Sequence, residues 1–256
     1  MQTRPVVFVV FPGLQALDLV GPVEVFTGAN THTGAAAYSI QVAATVAGTL
    51  ESSSGLPLVA GGALADITDP IDTLVVVGGD GTAAAVSDEE VVAQVRRLAT
   101  LSRRVTSVCS GAFVLARAGL LDGRRATTHW TVCDLLADLF PEVRVEADPI
   151  FVRDGNVYTS AGVTAGMDLS LALVEDDLGR DVALAVARRL VLFLRRPANQ
   201  SQFSAPLAAQ MAERDGLRDA QRHVVEHPEA DCSVAALARI AHMSERHFAR
   251  CFTDEV

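Results

Sequence analysis

The sequence contains no lysine: all 21 basic residues are arginine, and against 31 acidic residues they leave a formal net charge of -10. A surface of that sign repels phosphates, which excludes a protein that coats nucleic acid indiscriminately and requires any DNA contact to be local. Cysteine is sparse. Cys109, Cys133, Cys232 and Cys251 include no CxxC pair and no accompanying histidine cluster, so neither a metal site nor a disulfide framework is expected. Long apolar runs are missing too. Segments such as 5–11 and 182–194 are short or interrupted by charge, and no basic, apolar, small-residue leader opens the chain. A cytoplasmic protein without a membrane partner is expected.

What is present is apolar bulk. At 256 residues and 50% hydrophobic, the chain can bury one large α/β core and a small appendage. A continuous apolar run at 6–10 predicts a buried parallel strand, and 39–44, 73–77 and 105–108 read as further strands, the last of them buried. Between them, 17–29 reads as a helix. Ser87 is the expected cap of another, with Asp88, Glu89 and Glu90 in its first turn. Residues 143–147 suggest a strand, 150–153 and 156–159 a hairpin about Asp154-Gly155, and 163–178 and 181–195 two closing helices. The alternation predicts a mostly parallel sheet with helices on both faces. A polar, proline-marked segment, 196–212, reads as a linker to a small all-α segment, 213–256.

One strand ends in chemistry. Ser107-Val108-Cys109-Ser110-Gly111-Ala112 places a thiol on the turn from strand to helix, the layout of a nucleophile elbow, where helix N–H groups would favour thiolate and lower its pKa. The alternative is a buried cysteine acting as a small apolar residue. Gly78-Gly79 ends another strand and can bring bare backbone donors to the same edge, as an oxyanion hole requires. His129 follows twenty residues after Cys109 and is a candidate to reach the thiol, or else a helix-start or surface residue.

Near the end, Leu237 and Ala241 lie at helical spacing with Ala238 toward a neighbour. Ser244 then caps a second helix whose apolar positions are Phe248, Cys251 and Phe252, leaving Arg246, His247 and Arg250 outward. That is a helix-turn-helix, with two arginines suited to phosphates and guanine edges. An ordinary helical hairpin has the same spacing. His242 sits where a turn glycine is common, and histidine tolerates the left-handed conformation better than most.

The wording of this segment, Leu-Ala followed by a Met-Ser turn and a helix with Arg and Phe, resembles the DNA-binding module of AraC-type regulators over roughly the last 35 to 40 residues. That module contains a second helix-turn-helix, so the resemblance implies weak DNA binding by the 256 residues alone. Residues from about 4 to 195 resemble the DJ-1/PfpI superfamily, a flavodoxin-like fold shared with class I glutamine amidotransferases. The markers are Asp18 four residues before Pro22, the Gly78-Gly79 turn, the Cys109 elbow and His129 in Thr-Thr-His-Trp. The resemblance implies that Asp18 approaches Cys109, across a longer gap than a glutamate would leave. Protease-like members carry His after the cysteine; Ser110 stands there instead, against peptidase chemistry. Glu24 on the same helix reads as a solvated carboxylate.

The two parts together resemble the GlxA-like transcription regulators. Three expectations follow: a sensor over 1–195 whose small-molecule effector binds near Gly78, Gly79, Cys109 and Ser110; a DNA reader using Ser244, Arg246, His247 and Arg250; and a homodimer without cofactor or metal. Two alternatives stand beside this one. Isocyanide hydratases share the elbow, the aspartate and a hydroxyl residue after the cysteine, which would make Cys109 a nucleophile and Asp18 a proton carrier. A DJ-1-like redox or protective protein needs only an oxidisable Cys109.

Overall fold

Val6, Phe8 and Val9 are fully buried because their strand runs through the middle of a sheet covered on both sides, the setting that a continuous apolar run requires. The computed structural model describes residues 3–194, Gln200, 214–227 and 230–255. Two compact units divide the chain, Met1–Pro197 and Ala198–Val256. The linker expected at 196–212 lies outside the described residues except for Gln200.

The first unit runs β1 (Arg4–Val9), α1 (Ala16–Thr33), β2 (Tyr38–Ala44), β3 (Gly48–Glu51), β4 (Pro57–Ala60), β5 (Gly62–Ala63), β6 (Ile71–Val76), α2 (Thr82–Ser87) and α3 (Glu89–Leu101). It continues with β7 (Ser102–Val108), α4 (Gly111–Arg117), β8 (Arg125–Ala126), α5 (Cys133–Leu139), β9 (Arg144–Val145), β10 (Phe151–Asp154), β11 (Val157–Ser160), α6 (Ala165–Leu178) and α7 (Arg180–Arg189). Seven strands form one sheet in the order β10-β11-β7-β6-β1-β2-β5, parallel throughout except for the β10–β11 hairpin. Helices α1, α6 and α7 pack as one group and α2, α3 and α4 as another, giving the expected α/β sheet with helices on both faces.

Several boundaries differ from expectation. The cap before α3 is Asp88, whose Oδ1 accepts from the N–H groups of Glu90 and Val91 at 2.9 and 3.3 Å. Ser87 instead closes α2, because the alanines after Gly81 already form a short helix that uses it. The strand expected at 143–147 shrinks to Arg144–Val145, paired with Arg125–Ala126 outside the main sheet. The helix expected to reach 195 stops at Arg189, just before Val191 takes a left-handed conformation (φ 56°). Sequence reading missed the β3–β4 hairpin and α5.

At the amino edge of the sheet, the buried Arg104 donates to Asp177 of α6 at 2.5 Å, and Tyr38 donates its hydroxyl to the same carboxylate at 3.0 Å. Charge is paired there and α6 is tied to the strand starts. The carboxyl edge is left to the site.

The second unit contains α8 (Asp215–Glu226), α9 (Val234–Ile240) and α10 (Glu245–Glu255). Leu217, Ala220, Leu237, Ala238, Phe248 and Cys251 form its core, so the apolar positions expected of the last two helices do face inward. His242 makes the turn between them in the left-handed conformation at φ 54°. Ser244 accepts from the N–H of His247 at 3.3 Å, a helix cap. Ser244→Ala is expected to cost about 1 kcal/mol of local stability, read as roughly fivefold faster amide exchange at the start of α10.

Candidate functional site

Four neighbouring strands deliver the site. Because β7 lies between β6 and β11, the turn after β7 sits between the Gly78-Gly79 turn and the loop 161–163, while β1, next to β6, feeds the start of α1 into the same edge. In open parallel sheets such an edge is where ligands bind. Cys109 sits at the turn with φ 55°, a strained conformation that a nucleophile elbow imposes on a non-glycine residue. Its carbonyl accepts from Thr128 at 2.8 Å, and Thr127 and Thr128 are fully buried, so this pair anchors the loop that carries His129.

Asp18 approaches from α1 and is completely buried. Its Oδ2 accepts from the N–H of Gly78 at 3.0 Å; Oδ1 has no partner at ordinary hydrogen-bond distance, and the carboxyl interacts with the Cys109 thiol. Burial pushes the Asp18 carboxyl up to about 7, against the opposing pull of Gly78 and Cys109. The same burial, together with the Asp18 charge, pushes the Cys109 thiol up to about 11, although the N–H groups of Ser110 and Val163 favour the thiolate. This corrects the expectation of a lowered thiol pKa. The dry pocket and the neighbouring carboxylate outweigh the backbone donors.

The bare donors expected at Gly78 and Gly79 are also in use. Gly78 donates to Asp18, and Gly79 donates to the Ser110 hydroxyl at 3.0 Å, which in turn shares a 2.8 Å hydrogen bond with Thr82. The glycines thus lock the elbow in place, and the backbone donors directed at sulfur come from Ser110 and Val163. Val163 is β-branched yet has φ 45°, a strained position that no sequence signal marked.

His129 lines the same cavity but does not bond to the thiol. Its Nδ1 is 2.7 Å from the Thr131 hydroxyl, and its ring occupies the space that a side chain at Gly162 would need. Burial holds its pKa below the usual histidine value. Glu24 is exposed, as expected. The cavity, about 640 Å³, opens above Cys109 and Ser110 and is walled mainly by Phe113, Leu135, Leu139 and Phe140 from α4, α5 and the residue after it. That wall was invisible in the sequence because α5 is only two turns long and the leucines it turns to the cavity, Leu135 and Leu139, are exposed.

In the second unit Arg246 and Arg250 are exposed on α10. Arg250 donates to His247 Nδ1 at 3.1 Å, and the His247 ring lies 3.6 Å from the Cys251 sulfur, against its own helix. Ser244 is occupied as the cap. Of the four residues expected to meet DNA, Arg246 is the one with no side-chain hydrogen bond or ion pair among the described residues.

No helix among the described residues is long and apolar enough to cross a membrane. Comparison with known proteins gives three findings. The DJ-1/PfpI family profile matches residues 4–176. The chain is 38% identical over 183 residues to an isonitrile hydratase of Pseudomonas putida, covering 72% of this chain and 76% of that one, and 30% identical over 255 residues to the HTH-type transcriptional regulator GlxA of Rhizobium meliloti, covering 96% and 76%. The crystal structure of a ThiJ/PfpI family protein from Pseudomonas syringae superposes with a TM-score of 0.69 at 28% identity, over 94% of this chain and 91% of that one.

Proposed function

The chain belongs to the DJ-1/PfpI family, and from that premise we propose that it is a transcription regulator in which residues 1–195 sense a small metabolite, 196–212 connect, and 213–256 carry the first helix-turn-helix of an AraC-type DNA reader. One observation carries this reading: similarity to the regulator GlxA runs through both units, over 255 residues. A catalyst gains nothing from a recognition helix. Effector binds in the cavity beside Cys109, Ser110 and the Gly78-Gly79 turn, shifts a homodimer between two arrangements for which it has different affinities, and so changes how Arg246 and Arg250 are presented to the major groove. His247 holds Arg250, and Ser244 fixes the start of the reading helix.

The 38% identity to an isonitrile hydratase favours a second reading, with Cys109 adding to the isonitrile carbon and Asp18 transferring the proton. A thiol held at about 11 argues for the first, since little nucleophilic thiolate exists at neutral pH. Selection from a random pool of duplex DNA at low ionic strength, where the weak binding expected of these 256 residues is strengthened, separates the two. One enriched motif is expected; no enrichment, combined with turnover of an isonitrile that is lost in Cys109→Ala, would establish the hydratase.

A further inference from the structure

Taking the Cys109 cavity as the sensing site, as proposed above, we infer that its effector carries no anionic group: the cavity suits a compact, largely apolar molecule, neutral or positively charged, and discriminates against carboxylates and phosphates. The wall formed by Phe113, Leu135, Leu139 and Phe140 removes apolar surface from water without offering a countercharge. Among the described residues no arginine lines the cavity, although the chain has 21. The charge that is present in the lining is acidic: Asp80 stands exposed at the rim.

The side-chain hydroxyls on the floor are already committed, and the Ser110 and Val163 N–H groups are directed at the Cys109 sulfur. Ser110 and Thr82 share their hydrogen bond and hold the Gly79 turn, and His129 is engaged through Nδ1 by Thr131. Burial keeps that imidazole neutral, so it brings no positive charge. An anion entering here leaves its hydration shell and meets the Asp80 carboxylate at the rim, a neutral histidine and no cationic side chain among the described lining residues. A neutral or cationic ligand has no such loss, and a cation gains from Asp80 at the rim. Charge selection thus comes from what the elbow has consumed internally and from the apolar helix above it. Amino acids and other carboxylate metabolites are rejected on this account.

Three probes of one shape test it: cyclohexanol, cyclohexylamine and cyclohexanecarboxylate, titrated by calorimetry into the full chain at neutral pH. The alcohol and the amine are expected to bind, and the carboxylate to bind at least tenfold more weakly. Ala83→Arg places a guanidinium at an exposed position on the cavity's edge and is expected to strengthen carboxylate binding at least tenfold. Carboxylate binding to the native chain as tight as that of the alcohol overturns the charge selection and leaves the sensing site standing. An Ala83→Arg chain with unchanged carboxylate affinity overturns the placement of the ligand. Failure of all three probes to bind overturns the sensing site itself and the inference with it.

Discussion

Replacing Asp18 with Asn is expected to stabilise the first unit at pH 8 by up to about 4 kcal/mol and to flatten its pH dependence. The carboxyl titrates near 7 in the folded chain against an ordinary value of 3.8. Below about pH 4 it is protonated in both states and its burial costs no ionisation penalty. Between about 4 and 7 the unfolded chain loses the proton while the folded chain keeps it, so stability falls by about 1.4 kcal/mol per pH unit; above 7 the penalty is constant. Asn fills the same volume, can accept from Gly78 and never ionises. Chemical denaturation of the two chains at pH 5 and pH 8 reads the difference. Removing the Asp18 charge also lowers the Cys109 titration, so alkylation of Cys109 at pH 9 is expected to be faster in the Asn variant. Identical pH profiles for stability and alkylation would remove Asp18 from the vicinity of the thiol.

Gly79→Ala is expected to act in the opposite direction, destabilising the first unit by about 4 to 5 kcal/mol. Gly79 has φ 138°, and a Cβ there would overlap the backbone nitrogen of Gln15 and the carbonyl oxygen of Gly13. Both obstacles are backbone, so the turn that Ser110 and Thr82 hold must open. Gly34 is the control: it too has a positive φ, 64°, but nothing lies within 4 Å of the place a Cβ would take, so Ala there costs only about 1 to 2 kcal/mol of backbone strain. Denaturant unfolding of the pair measures the contrast. Equal costs at the two glycines would mean that the Gly13–Gln15 segment does not press on the elbow.

The strands were legible where burial on both faces forced a continuous apolar run, as in β1 and the second half of β6, and the elbow was legible because a cysteine sits between a strand that ends at Val108 and the Gly111-Ala112 start of a helix. The last two helices were legible for a related reason: Leu237, Ala238, Phe248 and Cys251 fall on one side at helical spacing, and a small three-helix core offers few other ways to bury them. What spacing did not reveal was occupancy. Gly78 and Gly79 were correctly brought to the edge, but whether their N–H groups remained bare depended on Asp18 and Ser110, which lie sixty residues earlier and about thirty later. The thiol pKa was misjudged for the same reason. A helix start argues for thiolate, and only the packed structure supplies the desolvation and the Asp18 charge that oppose it. The shift from Ser87 to Asp88 as the cap shows the remaining kind of miss, in which two adjacent residues are both good caps and a short upstream helix decides between them.

DNA reading by α10 is the central claim, and the affinity of the full chain for its selected duplex tests it most directly. Arg246 and Arg250 lie four apart on that helix and are both exposed. Replacing either with Ala is expected to weaken binding by about 1 to 3 kcal/mol and to relax the preference for the selected sequence, whereas Arg239→Ala, on α9, weakens all duplexes alike. Fluorescence anisotropy at low ionic strength, where weak binding is still readable, with the selected and a scrambled duplex, measures both effects. Arg246→Ala and Arg250→Ala chains that still bind the selected duplex as tightly as the native chain, and still distinguish it from the scrambled one, would contradict the account.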